Sequence, residues 1–200
     1  MQPVPPVGFM EPLLVSTGVV AIAEIGDKTQ LLALILAARY RKPMPIMLGI
    51  LIATLANHGL AAGLGALAAG WLGPDLLRWI LGLGFIAMAG WCLVPDKAED
   101  GPSAAAKAGA FIATLVAFFL VEIGDKTQIA TVALAARFDN LMAVVAGTTL
   151  GMMLVNVPAT LCGDGIARMA PLKLIRILAA ALFAILGTMT LLRLDFGLLG

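Results

Sequence analysis

Two stretches of this chain, Glu24-Ile-Gly-Asp-Lys-Thr-Gln30 and Glu122-Ile-Gly-Asp-Lys-Thr-Gln128, are identical over seven residues. Each carries two carboxylates, an ammonium, a hydroxyl and a carboxamide. On a continuous helix Glu24, Asp27 and Lys28 fall at i, i+3 and i+4 and share one face, in the favourable Glu-to-Lys order. Glu122, Asp125 and Lys126 repeat the pattern. Gly26 and Gly124 remove a side chain where a second helix or an ion could approach, and they permit a kink. Thr29, Gln30, Thr127 and Gln128 add neutral oxygens. Facing one another, the two sets bring four carboxylates and two ammoniums together, a summed charge of −2. An oxygen-rich site of that charge suits a hard divalent cation such as Ca²⁺ or Mn²⁺. Zn²⁺ or Cu⁺ would call for thiolates or several imidazoles, and the chain has two cysteines and one histidine. The lysines could hold the carboxylates until a cation displaces them, or a carboxylate could exchange a proton for the metal; both routes stay open. A salt-bridge staple is the structural alternative. Buried ion pairs are poor stabilisers, however, and ionisable groups inside a membrane default to function.

The elements that carry these motifs are apolar. Of 200 residues, 61% are hydrophobic and 12% charged, and the mean hydropathy is +1.02. Soluble domains carry about 25% charged residues. The balance excludes a water-soluble enzyme and a disordered chain, and a net charge of +1 offers no basic patch for nucleic acid. The expectation is an all-α polytopic membrane protein embedded in the lipid bilayer. Six transmembrane spans are expected at Phe9–Ala38, Met44–Ala69, Leu76–Val94, Ala108–Ala136, Leu141–Gly163 and Leu172–Leu194. Met1-Gln-Pro-Val-Pro-Pro lacks a basic start and a small-residue cleavage site, so the first apolar stretch reads as a retained helix. Cys92 and Cys162 read as small apolar core residues.

A shift of 98 residues superposes the motifs without a gap. It also aligns Leu36-Ala-Ala-Arg39 with Leu134-Ala-Ala-Arg137, Gly49 with Gly147, Arg78 with Arg176 and Phe85 with Phe183. The chain therefore divides into a first three-helix repeat (1–94), a polar linker (95–107) and a second three-helix repeat (108–200). Three spans per repeat is odd, so the second copy sits upside down. With both termini outside, the inner loops hold Arg39, Arg41, Lys42, Lys97, Lys107, Arg168, Lys173 and Arg176. The outer segments hold Arg78, Arg137 and Arg193, and this asymmetry favours N-out, C-out. Inverted repeats place a substrate site near the midplane. Three spans per half make a thin wall for a pathway, which leaves room for a homodimer.

Asn57 and His58 lie mid-span, and the shift places His58 on Asn156. The two could contribute ligands or a proton relay, or simply hydrogen-bond between helices. Asp164 has Ala66 as its repeat partner and pairs most simply with Arg168, with an inner-vestibule role as the alternative.

The doubled Glu-x-Gly-Asp-Lys-Thr-Gln motif in a small six-span chain resembles the UPF0016 (GDT1) family of cation transporters, over nearly the whole length. The resemblance implies a secondary transporter of Mn²⁺ and Ca²⁺ with proton exchange. Glu24, Asp27, Glu122 and Asp125 would then form the cation site, with Thr29, Gln30, Thr127 and Gln128 as neighbours. Lys28 and Lys126 support it. The resemblance to bacterial members further implies Mn²⁺ export across the inner membrane, with no cofactor and no enzymatic activity. A passive divalent-cation channel is the competing expectation, against which the lysine beside each acid pair argues.

Overall fold

A computed structural model describes residues 8–94, 109–162 and 172–193. The linker at 95–107 and Asp164 lie outside the described residues. All regular structure among the described residues is helical: α1 (Met10–Glu24), α2 (Lys28–Tyr40), α3 (Pro43–Trp71), α4 (Pro74–Cys92), α5 (Gly109–Glu122), α6 (Lys126–Arg137), α7 (Leu141–Cys162) and α8 (Leu172–Leu192). Pro43 and Pro74 begin their helices, where the missing N–H costs nothing. Arg41 closes α2 in the left-handed conformation, its N–H donating to Ala37 O at 3.0 Å.

The spans expected over 9–38 and 108–136 go further than a kink at their glycines and do not run as single helices. Each breaks within its motif, because Gly26 (φ +81°) and Gly124 (φ +76°) adopt a backbone that L side chains rarely reach. The glutamate becomes the last residue of one half-helix and the aspartate the N-cap of the next. Both halves of the chain show the same succession of two short helices, a long one and a closing one.

Helices α3, α4 and α7 are long and apolar enough to cross a membrane. The distribution of polarity is the reverse of a soluble protein. Leu60, Leu64, Leu67, Trp71, Met142 and Leu154 are exposed, whereas Glu24, Asp27, Glu122, Asp125, Lys126, Asn57, His58 and Asn156 are buried. Such a surface is stable against lipid, where backbone groups must be satisfied within helices.

The packing crosses between the halves. Helix α1 lies along α7 and α3 along α5, while α4 pairs with α8 around the stacked rings of Phe85 and Phe183, 6.2 Å apart. Close approach depends on small residues. A Cβ on Gly147 would stand 2.5 Å from Leu13 O, and one on Gly49 would stand 2.9 Å from Phe111 O. Both neighbours are backbone, so neither can yield cheaply. Gly147→Ala is therefore expected to cost about 1–3 kcal/mol by overpacking. Gly59→Ala, facing open space, should be near neutral. Thermal unfolding of the purified protein in detergent distinguishes the two.

One contact set is lopsided. Helix α4 packs on α6 and α8 on α1, but the repeat-equivalent pairs, α8 with α2 and α4 with α5, make at most glancing contact among the described residues.

Candidate cation-binding site

Each helix break is built by its own motif. The Gly26 N–H donates to Gln30 Oε1 at 2.8 Å, and the Gly124 N–H donates to Gln128 Oε1 at 2.7 Å. The glutamines thus bind the break itself rather than standing as loose oxygens beside a site. Asp27 and Asp125 occupy N-cap positions yet make no side-chain capping bond. With that usual role left aside, their carboxylates turn to the opposite half of the chain.

Lys126 Nζ donates to Asp27 Oδ1 at 2.8 Å, and Lys28 Nζ stands 3.3 Å from Asp125 Oδ1. The lysines are exchanged between motifs, which corrects the expectation of pairing within each motif. The break rotates the second half-helix, so i, i+3 and i+4 no longer share a face. The two pairs are unequal: the Lys126 side chain is 4% exposed and that of Lys28 is 18%. Removing one partner of a buried pair typically costs about 3–5 kcal/mol. Lys126→Met should therefore lower the unfolding temperature more than Lys28→Met. Equal shifts in thermal melts of the two variants would contradict the difference in burial.

The glutamates, completely buried, face the long helices of the other half. Asn156 on α7 donates through Nδ2 to Glu24 Oε1 at 3.1 Å and to Met152 O at 3.1 Å. At the repeat-equivalent place His58 Nε2 on α3 stands 3.8 Å from Glu122 Oε1, the oxygen that accepts a short hydrogen bond from Thr127. Thr29 Oγ1 has no such partner among the described residues. Asn57 is drawn to structural use, its Nδ2 donating at 3.0 Å to Phe119 O, one of the carbonyls left over where α5 ends. Among the described residues Glu24 Oε2, Glu122 Oε2 and Asp125 Oδ2 have no hydrogen-bond partner, although all three are buried.

No three His, Cys, Asp or Glu side chains among the described residues stand close enough to enclose a metal as they are. The ammoniums hold the aspartates instead. Thr54, one turn before His58 on α3 and 1% exposed, was not apparent from the motifs. Its i, i+4 spacing from His58 was the available signal. Cys92 is buried as expected, whereas Cys162 is exposed at the end of α7.

Ionisable groups concentrated inside an apolar-surfaced helical protein mark a membrane protein with a functional polar centre. The chain belongs to the family described as divalent cation/proton antiporter GDT1, whose model matches residues 12–100 and 110–195. It is 52% identical over 191 residues, 95% of each chain, to the "Putative manganese exporter" of Vibrio cholerae serotype O1. GDT1-like protein 5 of Oryza sativa subsp. japonica is 27% identical over 88% of this chain and 91% of the relative. GDT1-like protein 3 of Oryza sativa subsp. indica is 25% identical over 88% and 72% respectively. No solved structure matches the chain. Membership makes metals transported substrates and implies no cofactor.

Proposed function

We propose that the protein is a secondary active exporter of divalent cations, chiefly Mn²⁺ with Ca²⁺ as a weaker substrate, which exchanges the metal for protons. The cation site lies where the two helix breaks meet. Glu24, Asp27, Glu122 and Asp125 supply its charge, Thr29 and Thr127 neutral oxygens, and Asn156 orients Glu24. The observation that carries this reading is the pair of aspartate–lysine bridges exchanged between the motifs. They keep the centre compact without a cation, and a divalent ion or protons can replace the ammoniums without leaving bare charge in the membrane.

In this reading α1 with α2, and α5 with α6, are broken spans, giving six passes in two inverted repeats. Helices α1 and α6 then occupy the half-membrane on the side of the termini, and α2 and α5 the other half. Positive residues at the end of α2 and just beyond it, Arg39, Arg41 and Lys42, favour the α2–α5 half on the inside of a bacterial inner membrane. The lopsided packing of α4 and α8 on α6 and α1 covers the outer half. At that contact a cavity of about 10 Å³, room for one water, remains between Ala23, Asp27, Cys92, Lys126, Ala179 and Arg176, the last expected in an inner loop but carried on α8. The other half is barer: Gly124 and Ile123 are exposed and Lys28 is the more accessible lysine. In this reading the barer half faces the inside, the four acids themselves staying buried, and α4 and α8 rock to the α2–α5 half to release the ion outward.

The test is metal flux in sealed proteoliposomes with Mn²⁺, Ca²⁺ and Mg²⁺, with and without a pH gradient. Saturable Mn²⁺ movement driven uphill by the gradient is the expected result. Flux that follows only the metal's electrochemical gradient would support the passive channel instead.

A further inference from the structure

The two glutamates of the centre sit in equivalent places but face different partners. Glu24 receives a carboxamide N–H from Asn156, whereas Glu122 faces the imidazole of His58 at 3.8 Å. That separation is too long for a hydrogen bond. Two donors that share one ion at about 2.3–2.6 Å each stand roughly 3.3–4.3 Å apart across the usual angles. His58 is wholly buried, and neither ring nitrogen has a hydrogen-bond partner among the described residues. Buried polar atoms are nearly always satisfied, and this nitrogen is aimed at a carboxylate whose second oxygen, Oε2, also lacks a partner.

We propose that His58 is a nitrogen ligand for the transported cation and sets its selectivity for a first-row transition metal over Ca²⁺ and Mg²⁺. The inference rests on the cation site assigned above and makes that site chemically unsymmetrical. Ca²⁺ and Mg²⁺ take oxygen ligands almost exclusively, whereas transition metals accept imidazole readily. A single nitrogen among carboxylate oxygens favours Mn²⁺ over the alkaline-earth ions while keeping the site hard. With asparagine in both places, the donors would all be oxygens.

His58→Asn gives α3 the residue that α7 carries at the equivalent position. In proteoliposomes the substitution should reduce the preference for Mn²⁺ over Ca²⁺ by about tenfold or more, through a higher half-saturation concentration for Mn²⁺. Ca²⁺ flux should hold or rise. His58 is the one histidine of the chain, which permits a direct readout. In tag-free protein loaded with Mn²⁺, electron spin-echo spectroscopy should show imidazole ¹⁴N modulation that His58→Asn abolishes. An unchanged metal preference, an equal loss of both fluxes, or a Mn²⁺ spectrum without nitrogen coupling would overturn the proposal. Glu122→Gln separates this failure from that of the site. If Glu122→Gln loses Mn²⁺ flux and His58→Asn changes nothing, only the inference falls. If Glu122→Gln transports like the parent, the site falls as well.

Discussion

Replacing Glu24 or Glu122 by Gln should lower Mn²⁺ flux by at least about a hundredfold while leaving the protein folded. Glutamine keeps the length of the side chain and one oxygen to accept the Asn156 or Thr127 hydrogen bond. What it removes is charge. A carboxylate about 4 Å from a divalent ion gains roughly 8 kcal/mol at an effective dielectric near 20, before desolvation. A net third of that is already about a hundredfold in binding. Folding should suffer little, because among the described residues neither glutamate is bridged by a lysine and a buried charge is costly in itself. The aspartates are less clean targets: Asp27→Asn would remove the carboxylate that accepts from the buried ammonium of Lys126 at 2.8 Å. The measurement is Mn²⁺ flux alongside a melting curve. Parent-like flux in either glutamine variant would remove the basis for the site.

A second large effect should come from fixing α8 to α1. Ala23 and Ala179 line the same small cavity on the covered side of the centre. With Cys92→Ala and Cys162→Ser as background, Ala23→Cys with Ala179→Cys should be bridged by a short bifunctional thiol reagent. Transport should fall at least tenfold and recover when the bridge is cleaved. The repeat-equivalent pair is Val121 with Leu81, on α5 and α4, which make at most glancing contact here. Val121→Cys with Leu81→Cys should bridge slowly at rest and faster during Mn²⁺ turnover. Undiminished transport by protein bridged at Ala23 and Ala179 would show that α4 and α8 need not move.

Much of this architecture is legible before any coordinates. The apolar composition dictates a lipid-facing surface, and the two copies of the motif mark the four acids that the fold buries. The boundaries of α3, α4, α7 and α8 lie within a few residues of the expected spans. The break in the first and fourth expected spans was not legible in the same way. Glycine inside an apolar helix is common and usually serves close packing, as Gly147 and Gly49 do here. Only the backbone tells those from Gly26 and Gly124, whose positive φ ends the helix.

The sequence by itself determined which groups carry charge, that they come in duplicate, and that they must be shielded from lipid. Those are properties of composition and local order. Tertiary structure alone decided that Lys126 reaches Asp27 and Lys28 reaches Asp125, and that Asn156 and His58 face the glutamates. The reason is physical. Lys126 and Asp27 are separated by 99 positions along the chain, and their 2.8 Å contact depends on where two half-helices end in space. Side-chain spacing on an idealised continuous helix cannot encode that, because one glycine in the left-handed conformation redirects everything after it.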